Sequence, residues 1–211
     1  MVILTWYGHA MYEIKGEKVS VVTDPFKGIG LPEPTLTADI VLSSHSHFDH
    51  GATELVEGGQ ALKEFVGETT IAGVPIKGVA TFHDEASGAQ RGKNSVYVFE
   101  IDGLRFCHLG DLGHPLTPEQ LEAIGEVDIL MIPVGGTFTI DAHAATKEVE
   151  KLAPKIVIPM HVKLPGLSVN VAPVDGFLAG KDNVEMIYTN SIELTKSDLP
   201  ASTTIKVLKF G

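Results

Sequence analysis

The sequence predicts an α+β sandwich, in which a core of two β-sheets carries a few helices on its outside. Short runs rich in Val, Ile and Thr recur along the chain and are typical of strands. Helical patterns are fewer, and the clearest ones begin at a recognisable cap. Apolar strands that alternate with a few helices favour layered packing around one core. We therefore expect one domain over residues 1–211.

The predicted strands are short apolar runs bounded by turn residues. In the first half they are Val2–Tyr7, Met11–Ile14, Val19–Thr23, Ile40–Ser43, Thr69–Ala72 and Lys77–Phe82. In the second half they are Ser95–Ile101, Leu104–His108, Ile129–Pro133, Ile156–Met160, Val184–Tyr188 and Thr204–Lys209. Asp102 and Gly103 separate two of these runs and predict a tight hairpin, because Gly readily takes a positive φ.

The predicted helices are short and are best defined in the second half. Thr117 as N-cap, followed by Pro118, indicates a helix start. Asp141 caps a further helix, and Pro154 ends it. The ranges are, in chain order, Ala52–Glu57, Thr117–Ile124, the segment between Asp141 and Pro154, and Pro173–Leu178.

Composition and charge restrict the function classes. Hydrophobic residues make up 44% of the chain and charged residues 20%, which indicates a folded domain rather than disorder. The formal net charge of −11 disfavours binding to nucleic acid, although a local basic groove would override it. Cys107 is the only cysteine, so no intrachain disulfide can form.

The amino-terminal segment does not resemble a secretory leader. It has no basic start, and Gly8, His9 and Glu13 interrupt its apolar residues. The chain has no apolar run near the roughly 20 residues that span a bilayer. We therefore expect a cytoplasmic protein that does not contact a membrane. The sequence leaves open whether it forms a homo-oligomer.

The densest cluster of chemically reactive side chains follows the strand that ends at Ser43. His45, His47, Asp49 and His50 lie within one short segment. Imidazole and carboxylate groups are the donors that zinc, manganese and iron accept. A polar loop with accidental histidines is the alternative, but such a cluster is costly to order without a cation. The segment therefore predicts a metal site with room for two ions.

The run His45-Ser46-His47-Phe48-Asp49-His50 resembles the H-x-H-x-D-H signature of the metallo-β-lactamase fold superfamily. The resemblance implies that superfamily's four-layer αββα sandwich. It extends along the chain to single residues at the ends of other strands. These are Asp24 in Thr23-Asp24-Pro25-Phe26, His83 in Ala80-Thr81-Phe82-His83, Asp111 in His108-Leu109-Gly110-Asp111, and His161 after Val157-Ile158-Pro159-Met160.

The resemblance also implies a ligand set for two divalent cations, for which we expect zinc, with manganese as the alternative. The first cation takes His45, His47 and His83, the second takes Asp49, His50 and His161, and Asp111 bridges both. His108 is a rival to His83. Two cations about 3.5 to 4 Å apart lower the pKa of a shared water, which supplies hydroxide as the nucleophile. Asp49 and Asp111 are the carboxylates expected to act in catalysis.

Other polar residues are expected to orient the ligands or to contact substrate. His9, Asp24 and His108 belong to the first kind, because ligating groups usually need hydrogen-bond partners behind them. Arg91, Asp141 and His143 belong to the second, because Arg and helix starts suit anionic groups. Asp141 also has the simpler explanation of an N-cap, and Arg91 that of a solvated turn.

Four further segments resemble the small single-domain branch that includes L-ascorbate 6-phosphate lactonase-like hydrolases. They are Gly8-His9-Ala10, Asp24-Pro25-Phe26, His108-Leu109-Gly110-Asp111 and Gly135-Gly136-Thr137-Phe138-Thr139. This resemblance implies a hydrolase that cleaves a small anionic ester, lactone or phosphodiester. Because only a short segment follows His161, we do not expect the helical domain of thioesterase relatives.

Other functions remain open at this point. A nuclease is one, and the net charge of −11 counts against it. A redox di-iron protein is another. Such relatives usually have Glu at the position of His47, and they usually carry a flavin domain, which this sequence does not show. A metal-binding protein without catalysis is the third, and the complete ligand set argues against it.

Overall fold

The computed structural model describes residues 1–211, which form sixteen strands and three α-helices. The first eight strands are β1 (Val2–Gly8), β2 (Met11–Lys15), β3 (Ser20–Thr23), β4 (Leu36–Thr37), β5 (Ile40–Ser43), β6 (Val56–Glu57), β7 (Gln60–Lys63) and β8 (Gly67–Ile71). The others are β9 (Val74–Phe82), β10 (Lys93–Ile101), β11 (Leu104–His108), β12 (Ile129–Pro133), β13 (Ile156–Met160), β14 (Val184–Ile187), β15 (Ser191–Leu194) and β16 (Thr204–Leu208). The helices are α1 (Pro118–Ile124), α2 (Ala142–Leu152) and α3 (Asp175–Leu178).

Two large mixed sheets form the sandwich. One has the order β15-β1-β2-β3-β5-β7, and the other β14-β16-β13-β12-β11-β10-β9-β8. Their apolar side chains share one core of 55 buried residues. Hydrogen bonds also join the sheets, because Tyr97 Oη donates to the Ser43 carbonyl at 3.1 Å and Ser95 N donates to the Ser44 carbonyl at 2.9 Å. The predicted α+β sandwich is confirmed.

Strand direction brings many carboxyl ends to the same edge of the sandwich. β1 and β3 run in the same direction because each is antiparallel to β2, and β5 is parallel to β3. In the other sheet β9 and β11 are both antiparallel to β10, and β12 and β13 continue parallel to β11. Polar residues follow these ends, where ligand sites of open sheets usually lie. They are His9 after β1, Asp24 after β3, His45 after β5, His83 after β9, Asp111 after β11 and His161 after β13.

The helix caps agree with the prediction in the second half. Thr117 and Gln120 form a reciprocal capping box at the start of α1. The Asp141 side chain accepts from Ala144 N at the start of α2. α2, the longest helix, has 11 residues. None of the three helices is long and apolar enough to cross a membrane.

The helix predicted at Ala52–Glu57 is wrong. The segment forms a three-residue 3-10 helix at Thr53–Leu55, and β6 follows it. Ala52 at the N-cap offers no side-chain acceptor, so the first turn lacks a cap. Val56 and Glu57 instead pair in parallel with Leu36 and Thr37 in β4.

The sequence patterns also missed short strands at the margins. β7 is the edge strand of its sheet, and Gln60, Ala61 and Lys63 are exposed. β15 pairs only with β1, at the opposite edge. Edge strands bury fewer side chains, so they lack the apolar alternation that predicts a strand.

Substitution of two methionines, Met131 and Met186, tests which part of the protein contributes most to the free energy of unfolding. Met131 in β12 is fully buried, whereas Met186 in β14 is 52% exposed. We expect Met131→Ala to lower the free energy of unfolding by about 2–5 kcal/mol, because it leaves a cavity. Met186→Ala should change it by less than about 0.5 kcal/mol. Urea unfolding of both variants measures this, and equal losses would contradict the assignment of the core.

Candidate metal site

The residues after the strand ends form three overlapping groups of metal-donor atoms. Two of them are separate from each other, and the third, His45, His50 and Asp111, shares one histidine with each of these two. The first consists of His45, His47 and His83, whose donor atoms lie within 4.8 Å of one another. His45 and His83 are buried, whereas His47 is exposed. Ser44 Oγ lies 3.0 Å from His45 Nδ1 and donates its own proton to an Asp24 oxygen. His45 Nδ1 is therefore the protonated nitrogen, and its Nε2 carries the free lone pair.

The second group consists of His9, Asp49, His50 and His161, again within 4.8 Å. His9 Nε2 lies 3.1 Å from His50 Nε2 and 3.3 Å from Asp49 Oδ2. The sequence predicted that His9 orients other ligands. The structure places its imidazole directly among the donor atoms.

Asp111 lies between the two groups. Its Oδ2 is 3.1 Å from His83 Nε2 in the first group and 3.4 Å from His161 Nε2 in the second. Its Oδ1 is 3.2 Å from His50 Nε2. The side chain is almost fully buried, and Asp111 N donates to the Asn94 side-chain oxygen at 2.9 Å. A carboxylate in this position faces donor atoms on both sides.

Asp24 accepts several hydrogen bonds from residues that hold or adjoin the metal-donor atoms. It accepts from Ser44 N at 2.7 Å, Ser44 Oγ at 2.7 Å and His50 Nδ1 at 2.8 Å. Burial acts to raise the pKa of Asp24, but the nearby imidazoles of His108 and His50 hold that pKa below its ordinary value. The bond to His50 Nδ1 fixes the ring and leaves Nε2 facing the site, which is the usual support for a ligating imidazole.

His108 does not join either donor group, although the sequence made it a rival to His83. Its Nε2 donates to the Ala10 carbonyl at 2.9 Å, and its Nδ1 accepts from Gly110 N at 3.1 Å. Both ring nitrogens are therefore in use, and neither has a lone pair for a metal. The structure brings His83 to the first group instead.

The donor set fits a cation. His45 Nε2, His161 Nε2 and Asp111 Oδ1 are buried without a hydrogen-bond partner, which is unfavourable unless another group satisfies them. Burial lowers the pKa of His9 to about 4 and the pKa of His45 to about 3. Both imidazoles are therefore neutral near pH 7, as ligation requires.

The backbone at the site is unusual. His9, Asp24 and His161 have φ values of 52°, 40° and 54°, in the left-handed region that non-glycine residues seldom adopt. One hydrogen bond joins two of them, because His161 N donates to the His9 carbonyl at 3.2 Å. Such strain clusters at functional sites, where the surrounding structure enforces it.

A cavity of about 600 Å³ opens over the donor groups. Arg91, for which the sequence predicts a contact with substrate, is one of the residues that line it. The cavity also contains side chains to which the sequence assigned no substrate contact. These are Phe48, Gln90, Phe138, Ser168, Val169 and Asn170.

The other predicted substrate residues lie farther out. Asp141 caps α2 through Ala144 N at 2.9 Å, and it lines a neighbouring cavity of about 390 Å³ that Arg91 shares. His143 is exposed on α2 and does not line the cavity over the donor groups.

Gly135 tests how the backbone places His161. A Cβ at this position would overlap the carbonyl oxygen of His161. We expect Gly135→Ala to displace His161 and to weaken zinc binding by about tenfold or more, because ligand orientation controls affinity. Zinc titration of the folded protein measures this. Gly176→Ala is the control, since its Cβ would meet only Ala142 Cβ at 3.8 Å. Unchanged zinc affinity in Gly135→Ala would contradict the expected displacement.

Comparisons with known proteins agree with this geometry. A family model described as a beta-lactamase superfamily domain matches residues 3–161. A metal-dependent hydrolase of Thermococcus onnurineus is 33% identical over 191 residues, which cover 76% of this chain and 84% of the relative.

Solved structures extend the likeness to the whole chain. A crystal structure from Thermotoga maritima, described as a Zn-dependent hydrolase of the metallo-beta-lactamase superfamily, is 42% identical. The match covers 100% of both chains with a TM-score of 0.85. The metallo hydrolase Igni18 of Ignicoccus hospitalis shares the fold, with a TM-score of 0.62 at 22% identity over 80% of this chain and 86% of that one. The chain therefore belongs, with the metal-dependent hydrolases it resembles, to the metallo-beta-lactamase superfamily.

Proposed function

We propose that this metal-dependent hydrolase uses two divalent cations, zinc or alternatively manganese, to cleave a small anionic ester, lactone or phosphodiester. The observation that carries the proposal is the position of Asp111. Its carboxylate lies within 3.4 Å of imidazole nitrogens from both donor groups. Carboxylates with this placement suit a bridge, because one side chain offers an oxygen to each cation.

The proposed ligands follow the two donor groups. His45, His47 and His83 would hold the first cation, with Asp49, His50 and His161 for the second and Asp111 for both. His9 belongs to the second group of donor atoms and would contribute a further nitrogen or support Asp49. When bound, the cations would lower the pKa of a shared water so that hydroxide is available near neutral pH.

The protein's own side chains have separate tasks in this scheme. Asp24 holds His50 and, through Ser44, His45 in fixed tautomers. Asp49 lies partly open to the cavity and would orient a water or the scissile group there. Asn94 fixes the backbone of Asp111. These contacts preorganise the reacting groups before substrate arrives.

The cavity supports a small substrate. About 600 Å³ suits a compact ligand rather than a polymer. Arg91 is the one permanently charged cation among the lining residues, and it would attract an anionic group. The net charge of −11 disfavours a nucleic acid. We also propose a cytoplasmic location, since Cys107 is the one cysteine and is buried.

Metal analysis tests the number and type of cations. Protein purified without added metal should contain two equivalents of zinc or manganese per chain, because two of the groups of donor atoms share no residue and Asp111 lies between them. Mass spectrometry of the metals in the folded protein gives the count. Iron with visible absorbance would instead favour a redox di-iron protein. Fewer than one equivalent, with no gain on adding zinc, would exclude the two-cation site.

Asp111→Asn tests the bridge. The change keeps the shape of the side chain but removes its charge, so we expect kcat/KM to fall by about 10²-fold or more, since even outer hydrogen-bond partners of ligands cost 10–100-fold. The assay uses whichever of 4-nitrophenyl acetate, γ-butyrolactone and bis(4-nitrophenyl) phosphate the protein hydrolyses. Asp182→Asn, at an exposed aspartate, should retain activity. Survival of activity in Asp111→Asn would refute the bridge.

A further inference from the structure

The loop that follows β9 is wrapped around one buried carboxylate. Asp84 Oδ1 accepts from Ala86 N at 2.8 Å and from Gly88 N at 3.0 Å. Its Oδ2 accepts from Gln90 N at 3.1 Å and from Arg91 N at 2.7 Å. Asp84 is only 4% exposed, and backbone hydrogen bonds, rather than a charged side chain, lower its pKa against the effect of burial. Backbone N–H groups therefore replace a cationic partner for this carboxylate.

The ends of the loop are also closed. His83 N donates to the Gly92 carbonyl at 3.0 Å, and Gly92 N donates to the Gly88 carbonyl at 3.0 Å. Gly88 has a φ of +82°, and a Cβ there would lie 2.9 Å from the Gly92 oxygen. Exposed loops are usually mobile, so this many internal bonds indicate that the position of the loop matters.

Arg91 is the charged residue of this loop that lies at the cavity. It lines the cavity together with Asp111 and His161. Its Nη2 donates to the Thr137 carbonyl at 3.4 Å, and its Cζ lies 5.4 Å from the centre of the Phe138 ring. A guanidinium has five N–H donors, and the structure occupies one of them. The remaining donors are available to an anion in the cavity.

We propose that residues 84–92 form an anion-binding arm, in which Arg91 binds a carboxylate or phosphate group of the ligand and Asp84 is the residue that positions Arg91. The inference rests on the proposed function, because it names the part of the substrate that the cavity recognises away from the scissile bond. The Phe138 ring beside the guanidinium favours an anion attached to a flat apolar group.

Two possible roles of Asp84, one through its negative charge and one through positioning of Arg91, predict opposite effects of its removal on anion binding. If Asp84 acted only through its negative charge near Arg91, its removal would strengthen binding of an anion. If it positions Arg91, its removal frees the loop and weakens that binding. Asp84→Asn therefore separates the two, because an amide cannot accept all of the N–H groups that the carboxylate now accepts.

Benzoate and benzamide are a matched pair of probes, equal in shape and different in charge. Calorimetry on the metal-loaded protein should show that benzoate binds about tenfold more tightly than benzamide, as a charged hydrogen bond would give. Arg91→Gln and Asp84→Asn should each abolish this preference, and the double variant should lose no more. Glu85→Gln, which removes the same charge from the adjacent exposed residue, should retain it.

Hydrogen exchange on the same proteins excludes a purely structural role. Asp84→Asn should speed exchange of the Ala86, Gly88, Gln90 and Arg91 amides. Faster exchange with the benzoate preference intact would overturn the proposal, and so would a preference that survives Arg91→Gln. If Asp84→Asn does not fold, Ala86→Pro is the substitute, because it removes one N–H donor and leaves the Asp84 carboxylate intact. It should lower the preference for benzoate over benzamide part-way. An unchanged preference in Ala86→Pro would contradict the proposal. Because binding needs no turnover, failure to hydrolyse any ester would refute the proposed function without deciding this result.

Discussion

The burial of two carboxylates among many imidazoles is the constraint on which the rest of the structure depends. Asp24 and Asp111 are both almost fully buried, as are His9, His45, His50, His83 and His161. Ionised carboxylates are costly to bury unless charge or hydrogen bonds compensate them. Asp24 is compensated within the protein, by Ser44 and His50. Burial acts to raise the pKa of Asp111, but the nearby imidazoles of His161 and His50 hold that pKa well below its ordinary value, and its Oδ1 still has no hydrogen-bond partner in the protein.

This difference separates supporting residues from donors. Asp24 accepts a hydrogen bond from His50 Nδ1, and Ser44 Oγ links Asp24 to His45 Nδ1. The Nε2 atoms of both rings are therefore left for ligation. Burial acts to lower the pKa of His50, but Asp111 and Asp24 raise it well above its ordinary value. Because an imidazole ligates a metal only in its neutral form, the two carboxylates that favour the protonated ring also influence metal affinity.

The sequence could predict the donors other than His9 because they lie within a few residues of the end of an apolar strand. Periodicity found the strands around them, and the spacing of His45, His47, Asp49 and His50 indicated the metal. The sequence could not predict the contacts that support the donors, since these join distant segments. His9 and His50 are 41 residues apart, and Asn94 is 17 residues from Asp111. The only local signal for His9 was the Gly8-His9-Ala10 segment, which does not show which ring it faces.

Local preference also failed where strand pairing decided the outcome. Ala52–Glu57 contains good helix formers, but pairing with β4 and the missing N-cap gave a strand at its end. Asp84 illustrates the same limit for function. In the sequence it is one more acidic residue after His83, and only the loop's hydrogen bonds reveal what it holds.

The two parts of the cavity have different physical origins, and this bears on how such a hydrolase selects its substrate. The donor atoms follow strand ends in two packed sheets, so their positions change little without loss of the core. The opposite part of the lining comes from loops, through Arg91, Phe138 and Asn170. Loops tolerate sequence change better than sheets do. The loops can therefore change in sequence while the donor atoms stay in place, and within one such loop the Asp84 carboxylate fixes the backbone through four N–H groups.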